Sequence, residues 1–338
     1  MSGNPCWRRQ ERFGTNVKEQ ILRLFKEANG QFVSGEALSE ALGCSRTAIW
    51  KHISELRAQG YQFEAVRRSG YRLLATPDIP YAEQVKAGLN TQRLGCETHF
   101  FETVESTQTE IHALARAGAP EGTVVIADEQ VKGKGRLGRS WHSPPGSGIW
   151  MSVLLRPKLE LQRCPQLTLV AAVAIVETIR EQTGLPLMIK WPNDLLLNGK
   201  KVCGILTELR AESDCVDYIA LGIGINVSSA SFPSELADIA TSLSIEQQGQ
   251  APLRTPLIKR LLEKLEELYF LYVEQGFSAI KPRWEAHALM LGKPITARRV
   301  NSATLQGIAI GIDEQGALLL RMEDGRTEHI YSADIDMG

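Results

Sequence analysis

The residues best suited to chemistry lie between Gly133 and Arg139, which read Gly-Lys-Gly-Arg-Leu-Gly-Arg. Three glycines and three cations in so short a span suit neither a helix nor a strand. Glycine raises the entropic cost of ordering and lets the backbone approach a ligand closely. Lys134 offers a point charge, and Arg136 and Arg139 offer planar forks, so the set matches phosphate or carboxylate. On these residues alone two readings stand: a solvated basic loop, or a mobile cationic loop that orders over an anion. The Walker pattern GxxxxGK[ST] is not met here. A second candidate is Lys190, which ends an apolar stretch and precedes Trp-Pro-Asn-Asp. Proline cannot donate to a sheet ladder and is tolerated at strand ends. Lys190 is therefore the last residue before the backbone turns away, where it either snorkels to water or meets an anion.

These groups need elements to hold them. Residues 140–148, rich in Ser, Pro and Gly, lead from the loop into the apolar run 149–155, a buried strand. The loop would then be anchored at one end and free at the other, as a lid is. Strands are also expected at 99–104, 122–129, 187–194 and 217–227, with a hairpin over 195–206 turning at Asn198-Gly199 in a type I′ turn. Gly222-Ile-Gly224 lacks the third glycine of a dinucleotide fingerprint and instead opens a strand to close approach by a ligand. Helices are expected at 81–90, 109–117, 165–183 and 256–274. Ser106 or Thr107 caps the second of these, and their hydroxyls serve either as caps or as ligand contacts. His142 reads as a loop variant rather than a general base. After Trp284 the apolar period changes to two, with strands at 304–312, 317–321 and 327–331, the pattern of a small β-barrel.

The chain of 338 residues, 43% hydrophobic with a net charge of −1, is long enough for two or three domains. No apolar run approaches the ~18 residues that span a bilayer, and residues 1–14 lack the apolar core of a secretory signal. Cysteines at 6, 44, 96, 164, 203 and 215 form no CxxC pair and read as reduced thiols of a cytoplasmic protein, with neither a zinc site nor a disulfide framework. Charge is uneven: residues 1–75 carry twelve Lys and Arg against seven Glu, a net +5. Helices over 17–28, 35–42 and 46–59, the last two broken by Gly43-Cys44 and capped by Ser34 and Ser45, form a helix-turn-helix. This places Ser45, Arg46, Thr47, Trp50 and Lys51 at the exposed start of the third helix, and Arg67 and Arg68 at the tip of a following hairpin. His52 falls on the inner face. A small helical interaction module is the other reading, but the clustered cations favour DNA. Residues 75–80 form a proline-bearing linker.

Taken in order, Gly133-Lys-Gly-Arg-Leu-Gly-Arg139, Lys190-Trp-Pro-Asn-Asp194, Gly204-Ile-Leu, Gly222-Ile-Gly-Ile-Asn226 and Ala240-Thr-Ser-Leu resemble the biotin–protein ligases, and with the helix-turn-helix the chain resembles their bifunctional bacterial members. It departs from the family at Lys134, where an arginine is usual, and at Glu105-Ser-Thr-Gln108, where Asp-Ser-Thr-Asn is frequent. The resemblance implies an α+β protein of three domains. These are a winged helix-turn-helix (1–76), a central α/β ligase core of class II synthetase type (77–282) and an SH3-like β-barrel (283–338). It implies that biotin attacks MgATP to give biotinyl-5′-AMP, and that a lysine of the biotin carboxyl carrier protein, an acetyl-CoA carboxylase subunit, then takes the biotin. It further implies a homodimer bound to operator DNA, with no membrane partner and no resident metal. By resemblance, Lys134, Arg136 and Lys190 are catalytic, with Arg139 in support. Ser106, Thr107, Gln108 and Gln130 hold the biotin ureido ring, Gly133 and Gly135 admit backbone N–H groups, and Gly204 and Asn226 complete the ligand site. Two other classes fit parts of the pattern: a lipoate–protein ligase relative, and a biotin-sensing transcription factor without ligase activity.

Overall fold

The computed structural model describes residues 17–58, 60–76, 78–212, 215–299 and 303–337. The arm of residues 1–14, with its four charged side chains and Cys6, lies outside them, as does the side chain of Cys215. Helices α1 (Val17–Glu27), α2 (Gly35–Leu42) and α3 (Arg46–Ala58) precede strands β1 (Gln62–Val66) and β2 (Gly70–Ala75). Ser34 caps α2 by accepting from Ala37 N at 3.0 Å, and Gly43 closes it in the left-handed conformation. Ile21, Phe25, Leu38, Ile49, Ile53, Leu56 and Phe63 make one apolar core, which is why the three short helices hold together. His52 is only half-buried, beside Glu55 at 3.7 Å. Val33 bridges Tyr71, adding a third extended segment to the hairpin. Gly70 is obligatory there, since its φ is +100° and a Cβ would meet the Val33 backbone.

The middle of the chain comprises α4 (Ala82–Lys86), β3 (Thr98–Val104), α5 (Thr107–Arg116), β4 (Val124–Gln130), β5 (Gly148–Leu155), α6 (Gln166–Thr183), β6 (Met188–Lys190), β7 (Asp194–Leu197), β8 (Lys200–Glu212), β9 (Cys215–Asn226), α7 (Leu243–Glu246), α8 (Arg254–Gln275) and α9 (Lys281–Glu285). Its seven strands form one sheet in the order β3-β4-β5-β9-β8-β7-β6. Only β3 and β4 run parallel, joined through α5, and every other neighbour pair is antiparallel. The Asn198-Gly199 turn has positive φ at both residues, as a type I′ turn requires. β8 and β9 form a much longer hairpin than their apolar cores foretell. One face of the sheet is buried under α6 and α8. The other carries α5, packed through Ile111 and Ala115 onto Val125, Leu154 and Ala220.

The last strands, β10 (Pro294–Arg298), β11 (Leu305–Ile312), β12 (Leu318–Arg321), β13 (Thr327–Ile330) and β14 (Asp334–Asp336), form a five-stranded antiparallel sheet in the order β13-β12-β11-β10-β14. β10 and β14 are additional to the three strands expected. This module docks on the core: Trp191 Nε1 donates to Gly316 O at 3.1 Å, and Gln166 Nε2 to Glu314 O at 2.7 Å.

The structure corrects two expectations. The linker expected over residues 75–80 is held fast at Asp78. Asp78 accepts from the backbone N of Arg254 at 2.7 Å and from its Nε at 3.3 Å. The same guanidinium, 2% exposed, donates to Asp128 Oδ1 at 2.7 Å. A charge that deep must be paired, so the segment is pinned. Beside it Gln84 links Tyr61 of the N-terminal module to Thr255 at the start of α8. Second, Cys44, Cys164 and Cys203 are free, but Cys96 is disulfide-bonded, so not every thiol is reduced. Among the described residues no helix is long and apolar enough to cross a membrane.

Candidate functional site

A pocket opens on the α5 side of the central sheet. Its floor follows from the register. Gly204 lies opposite Gly224, and Leu206 opposite Gly222, so three missing side chains leave a trough across β8 and β9. Trp141 lies over Gly204 and Gly224, and a Cβ on Gly224 would come within 2.5 Å of Trp141 Nε1. Gln108 lies over Gly222 in the same way, at 3.0 Å.

One wall is the start of α5. Ser106, Thr107 and Gln108 are each nearly fully buried. Ser106 is the N-cap and accepts from Gln108 N at 3.3 Å. Gln130, at the end of β4, accepts from the Thr107 backbone N at 2.8 Å and from its hydroxyl at 3.1 Å, and donates to Ser143 Oγ at 2.9 Å. Two buried polar atoms on the pocket lining have no partner, Gln108 Oε1 and Trp141 Nε1. Buried polar groups are normally bonded, so this pair marks where a ligand would supply an acceptor and a donor.

The other wall is the cationic loop, and its form differs from the lid expected. Residues 130–143 fold as a bonded excursion held at both ends: Gln130 N donates to Ser143 O at 3.1 Å, Trp141 N to Gly133 O at 2.8 Å and Gly135 N to Arg139 O at 2.7 Å. Gly133 is buried against the carbonyl of Trp141, so its missing Cβ serves the loop's own return. Arg136 donates through Nη1 to Asn193 Oδ1 at 2.9 Å and through Nη2 to Ser332 Oγ at 3.1 Å. The first bond joins the two sequence motifs directly, and the second ties the loop to the C-terminal module. Arg139 pairs with Asp334 of that module. Burial lowers the Arg136 pKa, opposed by the charges of Asp194 and Asp334; an arginine stays protonated regardless.

Of the expected ligand residues, Ser106, Thr107, Gln108, Gln130, Lys134, Gly135, Arg136 and Gly204 line the pocket together. Gly133, Arg139, Lys190 and Asn226 do not. Asn226 is buried and donates to Thr241 O at 3.1 Å. Lys190 lies on the edge strand opposite Asp194, which lies opposite Gly204. Directly paired residues share a face, so Lys190 emerges on the pocket's side of the sheet. Three lining residues with polar side-chain atoms were not assigned from sequence. Trp141 and Asn193 stand inside the motifs quoted above, without a periodicity to mark them. Lys201 pairs with Asp194 at 2.6 Å and lies 5.1 Å from the Trp141 ring centre; following the Asn-Gly turn, it looks like an ordinary solvated hairpin lysine. His142 is exposed and stands outside the lining.

No group of three or more His, Cys, Asp or Glu able to hold a metal ion occurs among the described residues. In the N-terminal module, Ser45 caps α3 by accepting from Ala48 N at 3.2 Å. Thr47, Trp50, Lys51, Arg67 and Arg68 are exposed, and Arg46, also exposed, is paired with Glu36 at 3.0 Å. Trp50 is 59% exposed on a helix that buries its other face through Ile49, Ile53 and Leu56.

Three segments match known sequence families: residues 17–72 an HTH domain, 100–226 the biotin/lipoate A/B protein ligase family, and 290–338 the biotin protein ligase C-terminal domain. The chain is 48% identical to the bifunctional ligase/repressor BirA of Bacillus subtilis over 326 residues, 96% of this chain and 99% of that protein. It is 32% identical to BirA of Escherichia coli over 297 residues, 88% and 90% of the two chains. A solved biotin protein ligase from Aquifex aeolicus, in complex with biotin and ATP, superposes with a TM-score of 0.63 at 33% identity, covering 72% of this chain and 99% of that one.

Proposed function

The chain belongs to the bifunctional ligase/repressor family of biotin protein ligases, and from that premise we propose that it joins biotin to a carrier protein and represses transcription through its helix-turn-helix. Biotin and ATP are the substrates. The observation that carries the ligase half is the pocket itself, with its glycine trough, two unpaired polar atoms and cationic rim. A cyclic urea offers one carbonyl and two N–H groups, and Ser106, Thr107, Gln108 and Gln130 gather where such a ring would sit. Gln130 is already bonded at both ends, so its part is to hold Thr107 and the loop in register.

The first step brings the biotin carboxylate to the α-phosphate of ATP, and pyrophosphate leaves. Two anions must meet, so preorganised cations do most of the work. Lys134, Arg136 and Lys190 take that role, with Arg139 in support. Arg136 is held ready by Asn193 and Ser332. The second step is attack by the acceptor's lysine on the mixed anhydride, so the nucleophile comes from the partner. A loop bonded along its length over the trough keeps water from that anhydride. Mg²⁺ enters as the counter-ion of the ATP phosphates, the usual manner for that ion.

The boundaries 1–76, 77–282 and 283–338 divide these tasks. The acceptor is the biotin carboxyl carrier protein, and a homodimer on a two-fold operator uses Ser45, Arg46, Thr47, Trp50, Lys51, Arg67 and Arg68 from each copy. All of this takes place in the cytoplasm, with no membrane partner. Calorimetry with biotin, lipoate and ATP, followed by pyrophosphate release, tests the first half. Binding of biotin but not lipoate, with pyrophosphate formed only when ATP is present, is expected. Preference for lipoate would give the site to the other branch of the family, and biotin binding without pyrophosphate would make the protein a sensor.

A further inference from the structure

We infer that Glu208, itself held by His112, is a positioning residue that fixes the Gln108 amide so that its oxygen receives a ligand N–H. The inference rests on the reading of the pocket as a biotin site. Gln108 Nε2 faces three acceptors: Glu208 Oε2 at 2.9 Å, Ala220 O at 3.4 Å and Leu206 O at 3.5 Å. Turning the amide over would set its oxygen against all three, one of them a carboxylate, so the chemistry of the surroundings dictates its orientation. Oε1 is therefore forced to the opposite side, where it is buried and without a partner. Gln108 is 3% exposed and lies against Gly222, so the chain cannot swing away to find water.

Behind Gln108 the network continues. Glu208 Oε2 also lies 3.1 Å from His112 Nε2, and His112 Nδ1 lies 2.9 Å from the Tyr218 hydroxyl. With Nε2 donating to Glu208, Nδ1 accepts from Tyr218, and every member is satisfied except Gln108 Oε1. The bond from His112 holds the Glu208 carboxyl below its ordinary range, so the group is an acceptor throughout the neutral region. A single open acceptor at the end of a closed chain is a specificity device. It rewards a ligand that brings N–H and rejects one of the same shape that brings a lone pair. A glutamine also reaches further than the asparagine frequent at this place in the family, and it is that reach which the Glu208 carboxylate meets.

The test uses the full-length protein, biotin, and two cyclic carbamates in which one or the other ureido N–H is replaced by oxygen. The wild type should bind one carbamate at least tenfold more weakly than the other. Gln108→Leu should lose roughly tenfold in biotin affinity and erase that discrimination. Glu208→Leu should shift both quantities the same way, and the double variant should be no weaker than Gln108→Leu alone, since both act through one bond. Glu208→Gln keeps an acceptor and should restore affinity to within about threefold. The turnover rate at saturating biotin should change less than about twofold in Glu208→Leu and Glu208→Gln. Multiplicative losses in the double variant, or wild-type discrimination in Glu208→Leu, would overturn the inference. Absence of biotin binding by the wild type would instead remove the biotin reading beneath it. Thermal melts of each variant separate loss of binding from loss of fold.

Discussion

Replacing Arg136 by glycine should produce an enzyme that makes its adenylate and leaks it. The guanidinium makes two bonds in this structure, to Asn193 at 2.9 Å and to Ser332 at 3.1 Å, so it joins the loop to both the core motif and the C-terminal module. Glycine removes both bonds and the charge, and adds backbone freedom next to Leu137, which already has φ +56°. Losing one hydrogen bond to a charged group costs about 1.5–3 kcal/mol, which is roughly 10–100-fold in retention of the phosphate-bearing intermediate. Lys134 and Lys190 remain, so formation of the adenylate should survive. Biotin itself should bind with little change, because Ser106, Thr107 and Gln108 lie on the opposite wall. Arg136→Lys, which keeps charge but not the fork, should fall between. The assay is dissociation of preformed biotinyl-5′-AMP from wild type and variant, measured against an excess of unlabelled biotin. Equal off-rates would mean that the loop does not hold the phosphate, and the assignment of Arg136 would fail.

Other perturbations reach other parts of the molecule. Arg254→Met strands Asp78 and Asp128 beside a lost partner, and removal of one member of a buried pair costs about 3–5 kcal/mol; the core transition in urea should move accordingly, and an unchanged midpoint would show the network to be incidental. Burial, and then the charge of Lys26, lower the pKa of Lys259 to about 8. Its unfolded value is near 10.4, so between these the unfolded chain binds more protons and the wild type gains stability as pH rises. Lys259→Met should therefore be more stable than wild type at pH 7, by a margin that shrinks at pH 9.5; a constant margin would contradict the burial argument. The exposed cations of the N-terminal hairpin should act through phosphate, so Arg67→Ala with Arg68→Ala should lower the slope of log affinity against log salt by about two. Titration of operator DNA at several salt concentrations measures it, and an unaltered slope would take those residues off the phosphates.

What could be read from the sequence had a period or a motif behind it. The helix-turn-helix, the strands of the central sheet and the glycine-cation loop carry both, and the structure has each of them. Short strands such as β10 and β14 carry neither, since strands of three to five residues hold too little alternation to register. The loop's order was hidden for a different reason: glycine content reports freedom of the chain, whereas the Gly133–Trp141 and Gly135–Arg139 bonds depend on where the chain returns. Lys201 and Glu208 were equally hidden. Each alone looks like a solvated charge on a strand; Lys201 becomes part of the pocket wall only through its place beside Gly204, and Glu208 meets the pocket only through Gln108. The pinning of the linker at Asp78 rests on Arg254, 176 residues away, and no local pattern announces such a partner.

Transfer of label to a carrier protein tests the central claim most directly. The protein would be mixed with ATP, Mg²⁺, labelled biotin and a biotin carboxyl carrier domain, and the carrier digested to locate the label. The ligase reading predicts stoichiometric label on one carrier lysine, with pyrophosphate and AMP released in equal amounts. Label that never leaves the protein, or a carrier that stays unmodified while biotin binds, would contradict it and leave only a DNA-binding sensor.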